Sequence, residues 1–257
     1  MKKIIPLAGT LTVLIIFLCI GHSCKKSSNN TSGNTNAGLA TQAAAQASFD
    51  NQSGGVYKGD LTGSSGYFEV NLQAGRPFLI YQWTNPAGNI DSCFTSSLGN
   101  WQSGQAISKA VFTGADGSVF WFSVGANGSN PSIDSVHIPS HTGPVYASIV
   151  KELSGNLVKV YQGTASPLNS NGGQCVNATV NMWTTGSVAA GTYLGTNGDT
   201  GGGVGTITGN QLRITMGSES GALTISSDGN AITGTVVGNG TSGGSSCSHT
   251  IALARIF

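Results

Sequence analysis

The sequence predicts an all-β, antiparallel fold built as two tandem, related β-barrel or β-sandwich units. Three observations carry this. Gly supplies 39 of the 257 residues and charged residues only 8%, where ordinary soluble domains have about 25% charged residues and half as much Gly. Ser, Thr and Asn provide the remaining polarity, and with Gly they disfavour helices. From Val56 onward, apolar residues recur with the period of two that marks half-buried strands. Finally, the pattern restarts after residue 159.

The chain opens differently. Lys2 and Lys3 precede an apolar run from Ile4 to Ile20, followed by Gly21, His22, Ser23 and Cys24. A positive start, an apolar middle and a small residue before the cut describe a secretory signal over residues 1–23, not a fold element. Cys24 directly after Ser23 resembles the lipobox of bacterial lipoproteins, and the polar run KKSSNNTSGNTN that follows resembles the tether of a Gram-negative lipoprotein. The resemblance covers about the first tenth of the chain. It implies acylation of Cys24 and a protein held in the cell envelope, at the outer membrane, facing the periplasm or the cell surface. Several acyl chains together anchor stably, at ~0.8 kcal/mol per buried methylene.

Residues 24–38 form the tether, with little apolar surface to bury. Residues 39–55 read as a short helix-like lead-in, because Ala43, Ala44, Ala45 and Ala47 favour helix and Asn51 to Gly55 stop it. The first β-unit spans 56–159. Its strands are read at 56–61, 67–72, 78–83, 106–113, 118–124 and 146–153, with an Asn-, Gly- and Pro-rich loop before the last.

The second unit spans 160–257. Val160-Tyr161-Gln162-Gly163 repeats Val56-Tyr57-Lys58-Gly59 at an offset of 104. The same offset carries Gly117–Ser123 onto Gly221–Ser227, Ile149 onto Leu253 and Lys151 onto Arg255. Strands follow at 174–183, 191–195, 204–208, 211–216, 222–226, 231–237 and 249–256, with Gly209-Asn210 and Asp228-Gly229 as turns. Such close spacing describes an antiparallel meander. The rhythm of ALTISSDGNAITGTVVG resembles the hairpins of small up-and-down barrels of the avidin and lipocalin group, a resemblance of hairpin rhythm alone.

In an exported protein, disulfides persist. Cys175 and Cys247 flank the first and last strands of the second unit and are expected to pair; Cys93 is then left as a buried free thiol.

The charge balance excludes one class of partner. Without Lys2 and Lys3, nine basic residues remain against ten acidic ones, so no basic surface exists to neutralise many phosphates, and nucleic acid is not a partner. No nucleophile elbow, phosphate loop or dinucleotide fingerprint occurs, and no cofactor is expected. His137 and His141 have metal-like spacing, but Pro139 between them argues against the helix that would make them converge. The acidic residues are scattered: Asp60 and Asp199 read as turn residues, Glu69 and Glu152 as strand residues on wet faces. Asp199-Thr-Gly also forms the triplet seen in aspartic proteases, without the second copy such enzymes need.

Aromatic residues concentrate in the first unit, thirteen from Tyr57 to Tyr146 against four in the second. Rings beside neutral amides suit stacking on sugars or docking of partners. Trp101, in the polar loop SSLGNWQSGQ, is the first candidate; Tyr81 and Trp83, sharing one strand face, come next. The expected protein is a membrane-tethered, non-catalytic binding or structural module, with a carbohydrate or an envelope protein as partner. The alternatives are a tethered hydrolase with a site assembled from distant residues, and a barrel that carries a small ligand among the first unit's aromatics.

Overall fold

A computed structural model describes residues 39–63, 66–73, 75–83, 90–95, 97–139, 141, 145–168, 175–238 and 247–257. The signal segment, Cys24 and the tether lie outside these residues. The fold is all-β and antiparallel. Its first half comprises β1 (Val56–Leu61), β2 (Tyr67–Asn71), β3 (Phe78–Gln82), β4 (Ile90–Phe94), β5 (Ile107–Gly114), β6 (Val119–Val124), β7 (Ser132–His137) and β8 (Ala147–Glu152). These form one sheet in the order β7-β6-β5-β4-β3-β2-β1-β8. The sheet is a nearly closed barrel, curled until its edge strands β7 and β8 come side by side without a ladder between them among the described residues.

The second half comprises β9 (Lys159–Pro167), β10 (Ala178–Thr185), β11 (Val188–Gly195), β12 (Thr200–Thr208), β13 (Gln211–Met216), β14 (Glu219–Ile225), β15 (Ala231–Gly238) and β16 (Ser248–Arg255). It is a closed barrel, each strand paired with the next and β16 paired back to β9. Closure leaves no edge strand exposed. Strict alternation specifies the inside: along β13, Leu212, Ile214 and Met216 are buried while Gln211, Arg213 and Thr215 are exposed.

Both halves close on the same pattern. Gly59 lies opposite Ile149, and Gly163 opposite Leu253, so the offset of 104 holds on both strands of the closing pair. A Cβ on Gly59 would stand 1.9 Å from the Ser148 carbonyl oxygen, and one on Gly163 1.9 Å from that of Ala252. Only Gly allows so close an approach. At the sixth strand the offset does not hold. Phe120 faces the core, whereas Thr224, 104 residues on, is exposed; Val119 is partly buried while Leu223 is fully so. The matched letters fall on opposite sheet faces, a shift of odd number that inverts every side chain.

The lead-in is not a helix. Residues 39–55 contain one 3-10 turn, Ala47–Phe49. The backbone groups a helix would have used are bound by tertiary partners instead. Ala44 N–H donates to Glu152 (2.7 Å), Gln46 N–H to Gln73, and the Ala40 carbonyl accepts from Arg255. Lys151 Nζ donates to the carbonyls of Phe49, Asp50 and Gln52. A helix of about 12 residues is marginal alone, so such partners prevail. Three strands are absent from the sequence reading: β4 and β7 expose at least half of their side chains and so carry a weak apolar period, and β9 was seen only as the repeated Val160–Gly163.

Outward-facing residues of β1, β2 and β8 pack against β9, β10 and the chain's last residues. Tyr67, Val158, Val160 and Trp183 form an apolar cluster there, and Tyr67 stacks on Phe257 with ring centres 4.1 Å apart. Trp183 donates its indole N–H to Ser148 Oγ (2.7 Å). This seam buries groups that strand periodicity places in water. Glu152 is fully buried and Glu69 nearly so. Glu152 accepts from Lys58 Nζ (2.7 Å) and Val158 N–H (2.9 Å) as well as from Ala44; Glu69 lies 4.0 Å from the same ammonium. Burial raises the pKa of Glu69, and the Lys58 charge offsets part of that. A buried ion is tolerated only when paired in this way. Asp60, expected in a turn, sits on β1 within the same seam.

Candidate functional site

The site begins with a strand that has almost no inward side chains. Along β12, Gly201, Gly203 and Gly205 alternate with outward residues. A Cβ on Gly201 would come within 2.6 Å of the Tyr193 ring, and one on Gly203 within 2.4 Å of Met216. The neighbouring side chains therefore lie over the bare strand. Toward one end of the second barrel they leave a cavity of about 220 Å³. Its floor is apolar, with Ala165, Val180, Met216, Val236 and Ile251; its rim is polar, with Asn197, Asp199, Ser218, Glu219 and His249. The opposite end of this barrel is packed by Leu212, Leu223, Ile232 and Tyr161, with the Tyr161 hydroxyl donating to the Gly229 carbonyl (2.8 Å).

Two devices fix the open end. The Cys175–Cys247 disulfide, expected from the flanking positions, is present and Cys247 lines the cavity. His249, buried on β16, has Nδ1 3.0 Å from the Glu219 carboxylate of β14 and Nε2 3.0 Å from the Val176 carbonyl. Both ring nitrogens are thus taken up by protein partners. Asp199 reads as a turn residue, and the turn does hold it: its N–H donates to Asn197 Oδ1 and its carboxylate accepts from Asn197 Nδ2. The same position puts it on the cavity rim.

In the first barrel Tyr57, Phe68, Tyr81, Phe112, Phe120 and Phe122 pack together in the core, with Tyr57 and Phe122 edge to face at 5.1 Å. Tyr81 and Trp83 do share a face, but it is the inner one. They are 1% and 8% exposed. The Tyr81 hydroxyl meets Asp116 (2.7 Å) and Ser118 (2.6 Å), and Trp83 packs on His141. Trp101 is half-buried against the first core and donates its N–H to the Gln105 carbonyl (3.0 Å). Tyr81 and Trp83 therefore present no free stacking platform, while Trp101 keeps part of its surface exposed.

His137 is exposed on β7 and His141 is occupied by Trp83. Among the described residues no three His, Cys, Asp or Glu side chains gather as metal ligands. Cys93 is a fully buried free thiol. Burial, with Asp116 and Asp91 nearby, pushes its pKa up to about 12, so it stays a protonated, unreactive thiol. A wider concavity of about 650 Å³ lies on the outer face of β12 to β14, around Val204, Thr206, Arg213 and Ser220. It is open, and its polar residues Thr206, Arg213, Thr215 and Ser220 stand on an exposed sheet face; an apolar hollow with a few polar groups at its mouth is the better binding site. The cavity's lining is drawn from across the second unit, from Ala165 to Ile251, so no one stretch of sequence announces it.

Comparison of the chain with known protein families, with curated proteins and with solved structures finds no match. The fold and cavity define it as a two-barrel β-protein with an internal, amphipathic barrel-end site.

Proposed function

We propose that this protein is a lipid-anchored envelope lipoprotein acting as a non-catalytic binding module, with the open end of the second barrel as its ligand site. The cavity carries this reading. An apolar floor beneath a hydrogen-bonding rim suits a small amphiphile, and barrel mouths are recurrent ligand sites. The anchor rests on the signal-like segment and on Cys24 after Ser23. The hydrolase alternative would use His249 as a base oriented by Glu219. Its Nε2 lies 3.0 Å from the Val176 carbonyl and its Nδ1 3.0 Å from Glu219, so both ring nitrogens already have protein partners and neither is free to take a proton from a nucleophile.

The experiment is native mass spectrometry of the protein recovered gently from its own envelope, beside Ala165→Phe, which fills the cavity from the floor. A small adduct on the wild type that the variant lacks is the expected result. An adduct shared equally by both proteins would place the ligand elsewhere. No adduct, and no small molecule that raises the melting temperature of the wild type alone, would remove the binding reading.

A further inference from the structure

We infer that the ligand of the second barrel is a small organic cation: a short apolar tail bearing an ammonium or similar hydrogen-bond-donating head. This rests on the cavity being the binding site, and adds the chemical class.

The charges around the cavity are unbalanced. Asp199 and Glu219 both line it, and among the described residues no Lys or Arg does. His249 is the remaining titratable group on the lining apart from the Tyr193 phenol, and its nitrogens are directed at Glu219 and at Val176, away from any ligand. A ligand at the rim therefore meets carboxylate and amide oxygens. The carboxylates attract an ammonium head directly; a carboxylate or phosphate head would face two like charges, with the Ser218 and Tyr193 hydroxyls as its donors. The Tyr193 ring stands in the same wall, and a cation near an aromatic face is attracted to its quadrupole.

Size limits the tail. At about 30 Å³ per water-sized group, a volume of about 220 Å³ holds about seven non-hydrogen atoms. Hexylammonium has that number. The floor residues Val180, Met216, Val236 and Ile251 offer the tail only carbon and sulfur, so affinity grows about fourfold per methylene while the tail still fits, and stops growing once the floor is reached.

Calorimetry on the folded protein at neutral pH and low salt, with butyl-, pentyl-, hexyl- and octylammonium, hexanol and hexanoate as probes, tests this. Hexylammonium is expected to bind about tenfold more tightly than hexanol, and hexanoate not measurably. Octylammonium is expected to gain nothing over hexylammonium. Asp199→Asn, at an exposed turn, and Glu219→Gln are each expected to weaken hexylammonium severalfold and leave hexanol unchanged. Because Glu219 also holds His249, the Asp199 variant keeps the test independent of folding. Hexanol or hexanoate binding as tightly as hexylammonium would overturn the cation while leaving the cavity reading intact. Failure of every probe, hexanol included, would overturn the site itself.

Discussion

Thr192 of the second barrel donates its hydroxyl to the Asp60 carboxyl of the first, 2.8 Å away. Among the described residues the second carboxyl oxygen of Asp60 has no hydrogen-bond partner, and the residue is fully buried. An ionised carboxylate is costly there, so burial pushes the pKa of Asp60 up from 3.8 to about 7, with Thr192 pulling it back.

The sign of the consequence follows. Between about pH 4 and 7 the unfolded chain has lost this proton and the folded chain still holds it. Stability therefore falls as pH rises through that window, by at most about 4 kcal/mol, and levels off above it. Asp60→Asn keeps the oxygen that faces Thr192 and removes the proton. Urea unfolding at a series of pH values is expected to give a wild-type minus Asp60→Asn difference that declines from pH 4 to 7 and is flat beyond. A difference independent of pH would mean that Asp60 does not hold the proton.

In each half one Gly allows the first strand to pair with the last. With an added Cβ 1.9 Å from a backbone oxygen of the facing strand, Gly59→Ala and Gly163→Ala cannot keep the pairing of β1 with β8 or of β9 with β16. Overpacking of this kind costs ~1–3 kcal/mol, occasionally more, and backbone cannot give way as a side-chain tip can. Each variant is expected near the top of that range by chemical denaturation, with hydrogen exchange accelerated at the closing strands. Unchanged exchange there would contradict the closing role.

The disulfide joins residues 72 apart. In the chain-entropy model such a loop stabilises by about 4 kcal/mol. Cys175→Ala with Cys247→Ala is expected to lower the melting temperature by ten degrees or more, and reduction of the wild type is expected to do the same. A melting temperature unaffected by reductant would mean that the cross-link carries no stability.

Lys151 holds the lead-in by three main-chain carbonyls. Burial lowers its pKa, and Asp50 partly restores it. Lys151→Met keeps the aliphatic stem and deletes the donors. A loss of ~2–3 kcal/mol is expected, the scale of hydrogen bonds to a charged group, together with faster exchange of the Ser53 amide, which donates from the lead-in to the Ala126 carbonyl, and of the Ser154 amide, which donates to Asp50. Protection at both amides equal to wild type would show the segment is held by other means.

Sequence reading located most strands of the second barrel because one face of each is consistently buried. In β13 and β16 the alternation is complete on the inner side, from Leu212 to Met216 and from His249 to Arg255. It missed β4 because Ile90 and Phe94 are exposed there, which hides the inner face. The buried acids were illegible for another reason. Glu69, Glu152 and Asp60 lie on outward faces that are wet in a lone barrel and dry only once the second barrel covers them, and no local pattern encodes that contact. The cavity was hidden because its lining, from Ala165 to Ile251, is gathered from strands far apart in the chain. Tyr81 and Trp83 were placed on one face correctly, but period two alone does not say which face is inside.

The account joins a folded pair of barrels to a lipid anchor, and the anchor is tested most directly by the mass of the N-terminal peptide from membrane-fractionated cells, beside Cys24→Ala. The prediction is a mature chain that begins at Cys24 carrying acyl groups, with the variant lost from the membrane fraction. An unmodified Cys24, or a variant that remains membrane-bound, would contradict it.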